Sequence, residues 1–270
     1  MQITNITEIL TFTEQVAAQA GQLVKQISER GSLIINQKSK GDLVTEADLA
    51  SENLIIKAIK DLFPEHSFLS EETNPSADKL GNNLWIIDPI DGTTNFSRQI
   101  PLCGVSIAYA LNKEVLVGVV YNPFSNEMFS AAKGRGAFLN GKQIRPTEVN
   151  KLENAIVAVG TSSPTKRRQF NESITRQIFN ILKETQDVRR LGAAAIDLCM
   201  VACGRLDGFY EPILCPWDVA AAKLIAKEAG ASCGFLKESP LNNLGEDISC
   251  HEIIAAAPGI YEELRQLLLR

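Results

Sequence analysis

No hydrophobic run in this 270-residue chain exceeds strand length, whereas a helix crossing a bilayer needs roughly 20 consecutive apolar residues. The N-terminal stretch carries acids and no basic start, so a secretory signal is not expected; a cytoplasmic location without membrane contact is. Neither sign of charge dominates. The 27 Lys and Arg against 32 Asp and Glu leave a net −5, which argues against non-specific nucleic-acid binding, since that needs a basic surface. Internal repeats and low-complexity segments are missing. Histidine is scarce, with only His66 and His251, far apart in the chain. The six cysteines (Cys103, Cys199, Cys203, Cys215, Cys233 and Cys250) therefore lack the partners of a zinc set. They are expected to be buried thiols that pack as small hydrophobes, with Cys199 and Cys203 on one helix face.

What remains is an ordinary globular composition, 45% apolar and 22% charged, long enough for one large domain or two modest ones. Apolar residues at helical spacing predict a long helix over 6–30, closed by Gly31. A second begins near Thr45, with Leu49, Leu54, Ile55, Ala58, Ile59 and Leu62 on its apolar face, and Pro64 ends it. Short strands are expected at Ser67–Ser70 and Leu84–Asp88. From Cys103 to Ile144 strands alternate with tight turns at Asn112-Lys113 and Asn140-Gly141, an antiparallel meander. Pro146–Asn154 reads as a polar crossover. Strands and helices then alternate: strand Ala155–Val159, helix Gln169–Glu184, strand Val188–Leu191, helix Ala193–Cys203, strand Gly208–Glu211, helix Pro216–Ala229, strands Ala231–Phe235 and Ile253–Ala257, helix Tyr261–Leu269. This order implies stacked sheet and helix layers of the α+β or α/β class. The expected division is an α+β half over residues 1–150 and an α/β half over 151–270.

Chemistry concentrates in Trp85-Ile86-Ile87-Asp88-Pro89-Ile90-Asp91-Gly92-Thr93-Thr94-Asn95-Phe96. A short buried strand ends in two carboxylates three residues apart, followed by a small hydroxyl-rich turn. Hard divalent cations take carboxylate and carbonyl oxygens and share their sites with substrate phosphate. Packing Asp88 and Asp91 with a third acid, Glu71, is costly because each raises the others' pKa, and a divalent cation removes that cost. Gly92, Thr93 and Thr94 open a helix whose N–H groups suit phosphate, or simply cap it. Asp218, after Pro216-Trp217, reads as an N-cap acid or a ligand. Thr45 and Asp48 fit a capping box. The polar, basic run 162–168 reads as a solvated loop.

The string Trp85–Phe96 resembles the signature of the inositol monophosphatase family, the lithium-sensitive, magnesium-dependent phosphatases. Lys40-Gly41-Asp42-Leu43-Val44-Thr45-Glu46-Ala47-Asp48, Ser67–Glu72, Cys215–Ala222 and Glu228-Ala229-Gly230 resemble further family blocks, in the family order, so the likeness spans essentially the whole chain. The resemblance implies an αβαβα sandwich with the active site between its halves. It also implies Mg²⁺ as cofactor, one ion on Glu71, Asp88 and the Ile90 carbonyl, and a second on Asp88, Asp91 and Asp218. Asp48 then becomes a catalytic partner of Thr93, and Glu71 contributes to catalysis as well. Asp91, Gly92, Thr93 and Thr94 face the substrate phosphate. Glu211 and the turn Gly192-Ala193-Ala194 face its ring. Ala193 stands where inositol-selective relatives often carry a hydroxyl residue, which removes one hydrogen bond.

The activity implied is hydrolysis of a small phosphorylated metabolite, first of all myo-inositol 1-phosphate, by an activated water. No cysteine lies in a phosphate-cradling loop, and the Asp-x-Asp-x-Thr motif of aspartyl phosphatases is missing, which argues against covalent routes. Histidinol phosphate, 3′-phosphoadenosine 5′-phosphate and fructose 1,6-bisphosphate are the alternative substrates. A binding protein for RNA or RNA polymerase on the same fold is the alternative of another class. A homodimer is expected, with the apolar meander Cys103–Tyr121 as its interface.

Overall fold

The computed structural model describes residues 5–31, 33–39, 42–75, 80–161, 171–236, 248 and 252–270. Helix α1 (Ile6–Glu29) starts where the Asn5 side chain accepts the Thr7 N–H, and its stripe Ile9, Val16, Ala17, Ala20, Val24 and Ile27 is buried. Helix α2 (Glu46–Leu62) packs beside it. Between them runs a hairpin not expected from the sequence, β1 (Ile35–Ser39) against β2 (Asp42–Thr45). Its residues are mostly polar, so periodicity carried no signal.

The two helices cover a seven-stranded sheet: β3 (Ser67–Ser70), β4 (Asn83–Asp91), β5 (Gly104–Leu111), β6 (Glu114–Asn122), β7 (Glu127–Ala132), β8 (Ala137–Leu139) and β9 (Lys142–Gln143), in that spatial order. The β3–β4 pair is parallel and the rest is an antiparallel meander. Its tight turns hold Asn112 and Lys113 at φ 51 and 70 and Asn140 and Gly141 at φ 49 and 75, the positive values that a two-residue hairpin turn requires. Side chains alternate across the sheet. Trp85, Ile87, Val105 and Ile107 meet α1 and α2, while Leu84, Ile86, Ala108 and Val120 join the opposite core.

That opposite core is filled from the second half of the chain. Helices α5 (Ala194–Ala202) and α6 (Pro216–Ala229) pack together and form the central layer. Beyond them lies a five-stranded sheet of β11 (Asp187–Arg189), β10 (Ile156–Val159), β12 (Gly208–Glu211), β14 (Ile253–Ala256) and β13 (Ser232–Gly234), in that order. The paired helices α4 (Asn171–Glu184) and α7 (Tyr261–Leu269) are the last layer. The fold is the αβαβα sandwich. Strand β11 and helix α5 are each shorter than expected, and the crossover contains a 3₁₀ turn at Leu152–Asn154.

Three expectations need correction. Leu49 is 41% exposed; the buried face of α2 is Ala47, Asp48, Ser51, Glu52, Ile55 and Ile59, rotated toward polar residues. In the segment Cys103–Tyr121, expected as an interface, the apolar strand residues Val105, Ile107, Ala108 and Val119 are buried, because helices cover both faces of β5 and β6. Not every thiol is buried: Cys103 and Cys199 are, but Cys203, one turn along from Cys199 at the C-cap of α5, and Cys215 and Cys233 are half-buried. The expectations about Lys40, Gly41, residues 162–168, Cys250 and His251 fall outside the described residues.

Candidate active site

The site begins with an irregularity in β4. Asp88 pairs with Ser106 and Asp91 with Gly104, so β4 takes three steps where β5 takes two. Pro89, which has no N–H for the ladder, occupies the extra length. In a regular strand Asp88 and Asp91 would point to opposite faces. The bulge turns both toward the central helical layer. The Ile90 N–H donates to Asp88 Oδ1 at 3.0 Å and fixes that carboxylate. Strand β3 runs parallel, with Ser70 opposite Ile87, and the Glu71 N–H donates to the Ile87 carbonyl at 3.3 Å, which carries Glu71 alongside.

The central layer supplies the rest. At the start of α5 the Ala194 and Ala195 N–H groups donate to the two Asp91 carboxylate oxygens at 3.1 and 2.8 Å. This buried helix end, which has no side-chain cap of its own, thus caps onto an acid from the other half of the chain. Asp218 sits at the third position of α6, not at its N-cap, and its Oδ2 accepts the Cys215 N–H at 2.6 Å. Gly92, at φ 89, is the N-cap of the short helix α3 (Thr93–Ser97). A Cβ there would lie 3.0 Å from the Leu102 carbonyl oxygen and 3.1 Å from the Ala193 Cβ, so glycine lets the two turns touch.

On the other flank, Asp48 closes its capping box on the Thr45 N–H at 2.8 Å and hydroxyl at 2.5 Å, while the Thr93 hydroxyl reaches Asp48 Oδ1 at 3.2 Å. The capping box is therefore present, and it leaves Asp48 Oδ1 in contact with Thr93. The same Thr93 hydroxyl lies 3.1 Å from the Ile90 carbonyl oxygen. Thr94 is exposed, beside half-buried Gly92 and Thr93.

Electrostatics mark the cluster. Burial, then the charges of Glu71, Asp91, Asp218 and Asp48, push Asp88 well above the carboxylate range. Burial, with Cys215 and Glu71, does the same to Asp218. Asp91 is pushed up to about 7 and Asp48 to about 6, chiefly by burial. Among the described residues no three His, Cys, Asp or Glu side chains already stand in coordinating positions around one point. The acids form a charged neighbourhood short of a cage. Their donors are all oxygen, as a hard divalent cation requires, and such an ion would relieve the repulsion that raises Asp88.

The residues expected to face the substrate ring are largely buried. Glu211 ends β12 and acts on Asp91 through its charge. A Cβ on Gly160 would fall 1.9 Å from Glu211 Oε2, so glycine leaves room for that carboxyl. Gly192 carries φ 93, and Ala193 and Ala194 are buried against the Gly92 turn. The Asn95 amide donates to the Leu102 and Leu191 carbonyls at 2.7 and 2.8 Å, tying the turns together.

Sequence reasoning missed several residues here. Asn95 stands inside the quoted string without a role. Asp197, on α5, is buried with neither oxygen hydrogen-bonded to protein, and burial with the charges of Asp91 and Glu211 drives its carboxyl well up. Ser51 and Glu52 sit inward on α2. Their signal was available, since they share the three- and four-residue spacing of Asp48, Ile55 and Ile59, but a search for apolar periodicity passes over polar residues.

Comparison with known proteins agrees with the geometry. The inositol monophosphatase family matches residues 5–269. Inositol monophosphatase 2 of Solanum lycopersicum is 42% identical over 230 residues, which is 83% of this chain and 85% of that one. Nus factor SuhB of Vibrio cholerae serotype O1 is 40% identical over 224 residues, 83% of each chain. The solved structure of inositol monophosphatase from Anabaena (Nostoc) sp. PCC 7120 superposes with a TM-score of 0.84 at 32% identity, covering 98% of this chain and 97% of that one. The chain belongs to the inositol monophosphatase family, a membership that supports phosphatase activity in general.

Proposed function

We propose that this chain is a Mg²⁺-dependent phosphomonoesterase acting on a small phosphorylated metabolite, with myo-inositol 1-phosphate as the first candidate. The observation that carries the reading is the convergence of Glu71, just past the end of β3, with Asp88 and Asp91 of β4 and Asp218 of α6, Asp88 being buried among the other charges. Glu71, Asp88, Asp91, Asp218 and the Ile90 carbonyl are the groups that would hold Mg²⁺. The ion, when bound, supplies charge neutralisation at the phosphate and leaving oxygen and lowers the pKa of water.

The chain's own groups supply the remainder. Thr93 and Asp48 form a hydroxyl–carboxylate pair at 3.2 Å that can orient an attacking water and accept its proton. Gly92, Thr93 and Thr94 bind the phosphate. Glu211 accepts hydrogen bonds from ring hydroxyls, while the small side chains of Ala193 and Ala194 leave space for the ring without adding a hydroxyl partner. Attack is in line, without a covalent enzyme intermediate. Initial rates on inositol, histidinol, nucleotide and sugar phosphates, with Mg²⁺ and with excess EDTA, test this. Undiminished turnover in EDTA overturns it. Li⁺, which brings less charge to the Asp88–Asp91–Asp218 side, should inhibit in an uncompetitive or mixed manner against a KCl control.

A second reading is the expected alternative, a binding role toward RNA polymerase or RNA, kept because relatives are named Nus factor SuhB. Binding that persists in an Asp88→Asn variant would separate it from catalysis.

A further inference from the structure

Three side chains on one face of α2 do not behave as helix-core residues should. Asp48, Ser51 and Glu52 are polar, stand at i, i+3 and i+4, and are each 0% exposed. They continue directly into the apolar stripe Ile55 and Ile59. Buried polar groups on a helix are expensive unless each finds a partner. All three find one, and every partner lies on a different segment of the active site. Asp48 accepts the Thr93 hydroxyl. The Ser51 hydroxyl donates to the Pro89 carbonyl at 3.1 Å, inside the bulge between Asp88 and Asp91. The Glu52 carboxylate accepts the Glu72 N–H at 2.9 Å and the Thr73 hydroxyl, on the turn that begins with Glu71.

We propose that Glu52 is a positioning residue: from α2 it clamps the 71–73 turn and so aims the Glu71 carboxylate at the cation site, with Ser51 registering the Asp88–Asp91 bulge on the same helix. The inference deepens the phosphatase reading and rests on it. The Glu71 N–H bond to the Ile87 carbonyl sets the start of the turn beside β4. Within the turn the Ser70 N–H donates to the Asn74 carbonyl at 3.0 Å, and the Asn74 amide reaches the Phe68 carbonyl. Glu52, 20 residues away in sequence, adds a hold on residues 72 and 73 from the helix. Pro89 lacks an N–H and interrupts the ladder, so the bulge likewise depends on a bond from outside the sheet, which Ser51 supplies at the Pro89 carbonyl. A helix is stiff over one turn, so the spacing of Asp48, Ser51 and Glu52 on α2 sets the relative placement of Thr93, the bulge and Glu71.

The test is Mg²⁺ binding by calorimetry, alongside initial rates against Mg²⁺ concentration, for wild type, Glu52→Gln, Glu52→Asp and Ser51→Ala. A glutamine keeps the size but offers a single oxygen for two donors. Loss of an outer partner of a metal ligand weakens affinity by about 10–100-fold. Glu52→Gln should show that loss in calorimetry, with kcat largely restored at saturating Mg²⁺ and the thermal midpoint without Mg²⁺ little changed. Glu52→Asp, one methylene shorter, should fail to restore the affinity. Ser51→Ala should shift it in the same direction but less. A Glu52→Gln variant that binds Mg²⁺ as wild type does, whatever its thermal midpoint, overturns the proposal. If the wild type binds Mg²⁺ but hydrolyses no phosphate ester, the functional reading fails while calorimetry on the variants still decides the role of Glu52.

Discussion

Asp88 is the residue on which the site turns, because the charges of Glu71, Asp91, Asp218 and Asp48 all act on it. Asp88→Asn should lower the rate by on the order of a hundredfold or more at any substrate concentration, read as equal losses in kcat and kcat/KM. Glu211→Gln, which removes no cation ligand, should instead mainly alter the ranking of substrates. Burial also dictates a pH signature. Asp48 is raised from 3.8 to about 6 and Asp91 to about 7, both in the folded state. A raised carboxyl pKa adds stability that is complete below the unfolded value and lost as pH rises through the folded one. For Asp48 the shift corresponds to roughly 3 kcal/mol. Metal-free protein should therefore melt higher near pH 5.5 than near pH 8, and Mg²⁺ should recover the loss at pH 8. His66 opposes this: burial lowers its pKa from 6.5, so its contribution is complete above that value and declines as pH falls below it. Calorimetry in EDTA and in Mg²⁺ across this range checks the sign. A metal-free midpoint that rises with pH would contradict it.

At the scale of elements, the contact between α6 and the first sheet is close enough to exclude a side chain. A Cβ on Gly118 of β6 would lie 2.5 Å from the Ala221 carbonyl oxygen and 3.0 Å from its Cα. Both are backbone and cannot step aside. Gly118→Val should cost about 1–3 kcal/mol or more by overpacking, visible as a lower thermal midpoint. Because α6 also carries Asp218, its displacement should weaken Mg²⁺ binding as well. An unchanged midpoint would mean the helix and sheet can separate without loss. The loop between β7 and β8 holds this helix from its other end, where Glu228 accepts the Gly134 and Gly136 N–H groups at 2.8 and 2.9 Å. Helix α6 is thus pinned at its C-terminus while its N-terminus presents Asp218.

For the whole molecule, the central helices belong to the second half of the chain but pack on the sheet of the first, and one apolar core runs through both. Unfolding should accordingly be a single cooperative transition followed identically by the fluorescence of Trp85 and Trp217 and by far-ultraviolet dichroism. Assembly is a separate matter. We propose a homodimer with twofold symmetry, built on a surface other than the buried meander. Light scattering at micromolar concentration should give twice the 29.5 kDa chain mass, and a monomer mass would refute it.

Local chemistry made much of this legible before any coordinates. Long amphipathic periods mark α1 and α2, Asn-Lys and Asn-Gly mark the hairpin turns, and the order of acidic blocks marks the family and the candidate ligands. These are properties of neighbours in the chain, and neighbours carry their own signal. The hairpin of β1 and β2, the polar face of α2, the covering of β5 and β6, and the burial of Asp197 were not legible. Each depends on what lies across the core. A single bulged residue turns Asp91 onto the face of Asp88, and a helix start about a hundred residues downstream caps it at Ala194 and Ala195. The sequence by itself determined the family and named the candidate acids in order. Only the tertiary structure decided that they converge, because convergence rests on strand register, a bulge and the spacing of one helix face, none of which is a property of adjacent residues.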